Sequence, residues 1–111
     1  MAGVNGPTED AMSIEGKYLA GWVRETVIRE AFGVLQGDLP QGIWLIVGRV
    51  QYETPGLGVW VVVEDVQKPD GKAWGEFDKG VGATLFRWSW IAGAVLADKK
   101  SEAKAMGFQP R

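Results

Sequence analysis

The sequence contains no cysteine and no histidine. The first absence excludes a disulfide scaffold, a thiolate metal site and a cysteine nucleophile. The second removes the commonest general base, the commonest metal ligand and the usual switch near neutral pH. Catalysis would fall to carboxylates, Lys, Tyr, Ser, Thr or the backbone. The chain is therefore read as a non-enzyme, with no catalytic residues, no cofactor and no metal site. Charge of one sign is also lacking, since the net charge is −2. No strong pull toward nucleic acid or an anionic membrane follows from that value. No apolar run reaches the ~18–20 residues that span a bilayer. Met1–Asp10 has no basic region followed by an apolar run, so no secretory signal is read. The expectation is a cytoplasmic protein with no membrane partner.

What the sequence does have is tryptophan and glycine. There are 111 residues, six of them Trp and sixteen Gly. The length suits one domain with a real core. Hydrophobic residues make up 46% and charged residues 23%, which excludes general disorder. The glycines fall mostly between apolar runs, as in a strongly bent sheet with tight turns.

Along the chain, residues 1–12 carry no apolar pattern and read as a flexible leader; residues 13–111 read as one small-barrel domain. Leu19, Trp22, Val23, Val27 and Phe32 recur at helical spacing, which predicts an amphipathic helix over 13–32. Ser13 can cap it and Gly33 or Gly37 can end it. Gly16 and Gly21 each weaken that helix by roughly 1 kcal/mol relative to alanine. Residues 42–52 read as a strand buried on both faces, with a bulge or bend at Gly48. Thr54-Pro55-Gly56 is a turn signal, residues 57–66 a second strand, and Lys68-Pro69-Asp70-Gly71 a strong turn. Residues 72–77 suggest a short strand and Asp78-Lys79-Gly80 another turn. Residues 82–97 fit either a helix or two strands broken near Ser89, and their glycines favour two strands. A short helix over 101–106 closes the order, with Ser101 as cap and Gly107 as stop. The fold class is α+β, mostly β. An N-terminal helix packs on a strongly bent, about five-stranded antiparallel sheet or small barrel, followed by a short C-terminal helix.

This layout resembles the Sm-like small barrels, relatives of the SH3-like barrels. Val47-Gly48-Arg49-Val50 followed by Val59–Asp65 is similar to the first half of that family. Leu85-Phe86-Arg87-Trp88 followed by Ile91–Val95 is similar to the second. The loop Thr54-Pro55-Gly56-Leu57-Gly58 lacks the acidic residue and asparagine of the RNA-binding members, and Trp88 stands where a glycine is usual. Only Arg87 carries over from the binding motif. The resemblance implies a barrel and ring-like assembly more than it implies uridine recognition.

Six tryptophans exceed what one small core comfortably holds, so at least one is expected at an interface or pocket rim. Trp60, Arg87, Trp88 and Trp90 are the candidate ligand or interface residues. On a continuous strand Trp88 and Trp90 would share one face and Arg87 would point to the other. Arg87 is expected to pair with Glu64 or Asp65 on a neighbouring strand. Glu64 and Asp65 face opposite ways unless a bulge intervenes, so they are not read as a chelating pair. Two functions remain open. One is a homo-oligomeric assembly module using an apolar, Trp-rich surface or sheet edge. The other is binding of single-stranded RNA or a flat small ligand on exposed aromatics.

Overall fold

The computed structural model describes residues 13–34, 37–75, 77 and 82–107. The leader and the turn expected at Asp78–Gly80 lie outside these. Five strands form one antiparallel sheet: β1 Tyr18–Arg24, β2 Ile43–Thr54, β3 Gly58–Gln67, β4 Thr84–Arg87 and β5 Ile91–Ala97. Their order is β4-β3-β2-β1-β5. Among the described residues two α-helices accompany them, α1 Glu25–Phe32 and α2 Lys100–Gly107, and a 3-10 turn, Trp88–Trp90, links β4 to β5. The sheet is not closed: among the described residues β4 pairs only with β3, and β5 only with β1.

The helix expected over 13–32 is corrected by this arrangement. Tyr18–Arg24 is a strand, and only Glu25–Phe32 is helical. Among the described residues the helix follows the first strand, whereas the resemblance placed it before. The reason is the position of β1 between β2 and β5. Leu19 and Val23 point to one core and Ala20 to another, so both faces are buried. A strand buried on both sides shows no alternation. Gly16 and Lys17 lead into it by exchanging backbone hydrogen bonds with Val50 at 2.8 Å each. Ser13 does not cap the helix; its hydroxyl accepts from the Glu15 N–H at 3.4 Å.

On the first face of the sheet, α1 buries Val27 and Ile28 against Leu19, Val23, Trp44, Ile46 and Phe86. Trp44 and Phe86 are fully buried, each contributing about 1.5–3 kcal/mol or more of burial. The Trp44 indole N–H donates to the Pro40 carbonyl at 2.9 Å. Glu25 and Arg29 pair across one turn of α1. Gly33 ends the helix with φ 68°, the left-handed conformation that glycine adopts without strain. Trp74 and Phe77 close this core edge-on against Phe32 and Trp44. They do so from a loop: the described residues of 72–77 do not form the expected strand, only a bridge between Gln67 and Ala73.

On the second face, α2 seats Ala103 against Ala20, Leu45, Val47 and Ala97. The helix starts at Lys100, so Ser101 lies inside it and is not its cap. The bend expected at Gly48 is a shift of register between β2 and β3. A Cβ at Gly48 would lie 2.3 Å from the Val62 carbonyl oxygen, so only glycine fits. The turns expected at 54–56 and 68–71 are present. The Leu57 N–H donates to the Thr54 carbonyl at 3.0 Å, and the Gly71 N–H donates to that of Lys68 at 2.9 Å. Residues 82–97 form two strands broken at Trp88–Trp90.

Candidate functional site

The candidates named from sequence divide between two places. Trp60 lies on the second face of β3, with Tyr52 opposite it on β2 and Leu85 opposite it on β4. An extra residue in β2 between Val50 and Tyr52 turns Tyr52 to that face. The two rings stack at 5.6 Å with an interplanar angle of 24°. The Trp60 indole N–H donates to Thr54 Oγ1 at 3.1 Å, which fixes the ring in its plane. Arg49 opposes Val62 and Arg87 opposes Gly58. Along the same face, an exposed arginine therefore stands on either side of the aromatic pair.

Trp88 and Trp90 are not side by side on a strand. β4 ends at Arg87, and the 3-10 turn sends the two rings to different environments. Trp90 packs against the main core, while Trp88 is exposed near the equally exposed Leu57, whose carbonyl accepts from the Trp88 N–H at 3.0 Å. The Arg87 guanidinium lies 5.8 Å from the Trp90 ring centroid, a cation–π distance.

Arg87 does not pair with Glu64 or Asp65. Those carboxylates are taken by α2, where Lys100 Nζ lies 3.1 Å from Glu64 and 3.0 Å from Asp65, and Lys104 Nζ lies 3.6 Å from Asp65. In the β2–β3 register Val47 opposes Asp65 and Gly48 opposes Val63, leaving Glu64 as the extra residue of a bulge. That bulge lets two neighbouring carboxylates hold one ammonium. Contact with Asp65, and less so with Glu64, holds the Lys100 ammonium above the usual lysine range. Among the described residues no group of three or more acidic side chains is placed to hold a metal ion.

The feature that sequence reading missed is on β5. Its seven residues, Ile91–Ala97, carry no charge and no proline, and their outer side has no strand partner among the described residues. Trp22 of β1 is the register partner of Gly93. The indole lies across that glycine, 3.5 Å from where a Cβ would be. Trp22, Gly93, Val95 and the exposed Ile43 line an open groove of about 720 Å³ beside this edge. The only sequence signal was the glycine within a strand, which marks a close approach. A second cleft of about 640 Å³ lies between Ile14, Leu96, Met106 and the Lys17–Asp98 ion pair, which is 2.7 Å long. Lys17 holds the Asp98 carboxyl below its usual range, chiefly through this hydrogen bond.

No helix among the described residues is long and apolar enough to cross a membrane. No family model matches the chain, and neither does any curated protein or solved structure.

Proposed function

We propose that this chain is a non-enzymatic assembly module that self-associates through the free edge of β5, part of an apolar surface that includes Trp22. The observation that carries the reading is the outer edge of β5, which has no strand partner among the described residues. A strand edge is a row of unpaired N–H and C=O groups, and proteins that stay monomeric blunt it with lysine, proline, a bulge or a covering segment. Ile91–Ala97 has neither charge nor proline, and its one irregularity is the bulge at Ala92 near its start. Exposed Leu96 and Ile43 extend the apolar surface on either side. The reading shares with Sm-like and SH3-like barrels a five-stranded antiparallel sheet; closure or ring assembly would pair the outer sides of β4 and β5, which have no strand partner among the described residues. A cytoplasmic setting belongs to the same proposal.

Light scattering after size exclusion tests it. The wild-type chain should run as a discrete oligomer, and Ala94→Lys should run as a folded monomer. A wild-type monomer at every concentration would overturn the reading.

One observation favours a second function. The stacked Tyr52–Trp60 pair between Arg49 and Arg87 suits a flat ring stacked on aromatics with an anionic group at either side. Single-stranded oligonucleotides at low salt should quench Trp60 fluorescence in the wild type and not in Tyr52→Ala. No quenching with any oligonucleotide would remove this alternative.

A further inference from the structure

The stacked Tyr52–Trp60 pair sits in a patch with charge of one sign. On the second face, β2 and β3 bring Arg49, Tyr52, Trp60 and Val62 together, and β4 adds Leu85 and Arg87. Trp60, Val62 and Leu85 are half-buried, whereas Arg49, Tyr52 and Arg87 are exposed. Neither arginine has an ion-pair partner among the described residues. The carboxylates next along β3, Glu64 and Asp65, are already taken by Lys100. The patch is thus apolar and aromatic with two free guanidinium groups, which suits a flat ring that carries negative charge on both sides.

The open ring face belongs to Tyr52. Trp60 is flanked by Tyr52 on β2 and by Leu85 on β4. Tyr52 has a strand neighbour on one side only, because the register of β1 with β2 ends at Tyr18 opposite Arg49. Its ring is 44% exposed, and a further flat ring continues the stack. The hydrogen bond from the Trp60 indole to Thr54 holds the platform in place, so little rotamer freedom is lost on binding. Arg87 is steadied in the same way by the Trp90 ring, 5.8 Å from its guanidinium carbon. A ring can hold the flat side of a guanidinium and leave its N–H fork free for a phosphate.

The spacing of the two arginines selects the occupant. Arg49 is opposite Val62 and Arg87 is opposite Gly58, on the two sides of β3. Ordinary strand spacings then put their Cα atoms about 16 Å apart, with the aromatic pair between them. A single phosphate cannot meet both. Two phosphates of one chain, with a base between them, can.

We infer that a single strand of nucleic acid crosses this face from β2 to β4, with one base stacked on Tyr52 and backbone phosphates at Arg49 and Arg87. This rests on the aromatic-platform reading and adds the path of the strand and its two charge contacts. Stacking is tolerant of sequence, because every base has a flat face.

The test is fluorescence anisotropy of a labelled thymidine hexanucleotide, titrated with the chain at several salt concentrations. Each phosphate neutralised on a single strand contributes about −0.7 to the slope of log K against log salt. The wild type should give about −1.4, and Arg49→Ala and Arg87→Ala about −0.7 each. Both side chains are exposed, so both variants keep the fold. Tyr52→Phe should bind as the wild type does. Tyr52→Leu, which keeps an apolar side chain but no ring, should bind about 5- to 150-fold more weakly with the slope unchanged. Thymidine monophosphate, which reaches only one arginine, should be a far poorer competitor than the unlabelled hexanucleotide. A slope that neither arginine variant changes, or a mononucleotide that competes as well as the hexanucleotide, overturns the path and leaves base stacking standing. No binding of the hexanucleotide at low salt overturns both.

Discussion

The Trp22 indole packs against Gly93, its register partner on β5. An added Cβ would sit 3.5 Å from the indole, an ordinary contact distance. Gly93→Ala should therefore keep the monomer fold, with a change of stability within about 0.5 kcal/mol. Gly93→Val should lift the ring and fill the place where a second strand docks. The expected result is an unchanged far-ultraviolet circular dichroism spectrum with loss of the oligomer by light scattering.

Two other glycines are held by backbone and tolerate nothing larger. A Cβ at Gly48 would lie 2.3 Å from the Val62 carbonyl oxygen, and one at Gly58 would lie 2.2 Å from that of Phe86. Either strand pair must separate to admit it. Gly48→Ala and Gly58→Ala should each cost about 2 kcal/mol or more. Urea unfolding reads this directly, and a loss below about 0.5 kcal/mol would contradict the packing at the bulge.

The tryptophans should rank by burial. Trp44→Ala removes a fully buried ring and strands the Pro40 carbonyl, and should cost about 3–5 kcal/mol. Trp88→Ala removes a ring that is 37% exposed, and should cost less, about 1 kcal/mol. Thermal unfolding of the two variants side by side checks the order.

Lys100 ties α2 to the β3 bulge. Its ammonium is held above the ordinary lysine value of 10.5 by Asp65 and Glu64. A group whose folded value is raised stabilises fully below its unfolded value and loses that contribution as pH rises through the folded one. Hydrogen-exchange protection of α2 should thus hold at neutral pH and fall above the ordinary lysine value. Lys100→Ala should lower it at neutral pH, with a stability loss of about 0.5–1 kcal/mol because the pair is partly exposed.

Much of the sheet was legible because its signals are local. Pro55-Gly56 and Pro69-Asp70-Gly71 announce turns, Gly48 announces the bulge, and the glycines of 82–97 argue correctly for two strands. β1 was not legible. Leu19, Trp22 and Val23 fit a helical period, while Leu19-Gly21-Val23 and Ala20-Trp22 fit a strand equally well. Only pairing with both β2 and β5 decides between them, and that information is distant in sequence. Gly16 and Gly21 were the local warning. Trp60 and Arg87 stand out in the sequence as chemically distinctive, but their neighbours were not foreseeable. Tyr52 reaches Trp60 only through an extra residue in β2, and Arg87 meets Trp90 only because a 3-10 turn interrupts the chain. Trp22 reads in sequence only as part of a helical face, because its partner is a glycine on the last strand.

The most direct measurement of β5 pairing is a charge exchange at its centre. Ala94→Lys and Ala94→Glu each put like charges on both copies of the exposed middle of β5, and each should be a folded monomer by light scattering. Mixed in equal amounts, they place an ammonium against a carboxylate and should restore a dimer containing one chain of each. Two monomers that remain monomers when mixed, or single variants that stay oligomeric, would contradict assembly through this edge.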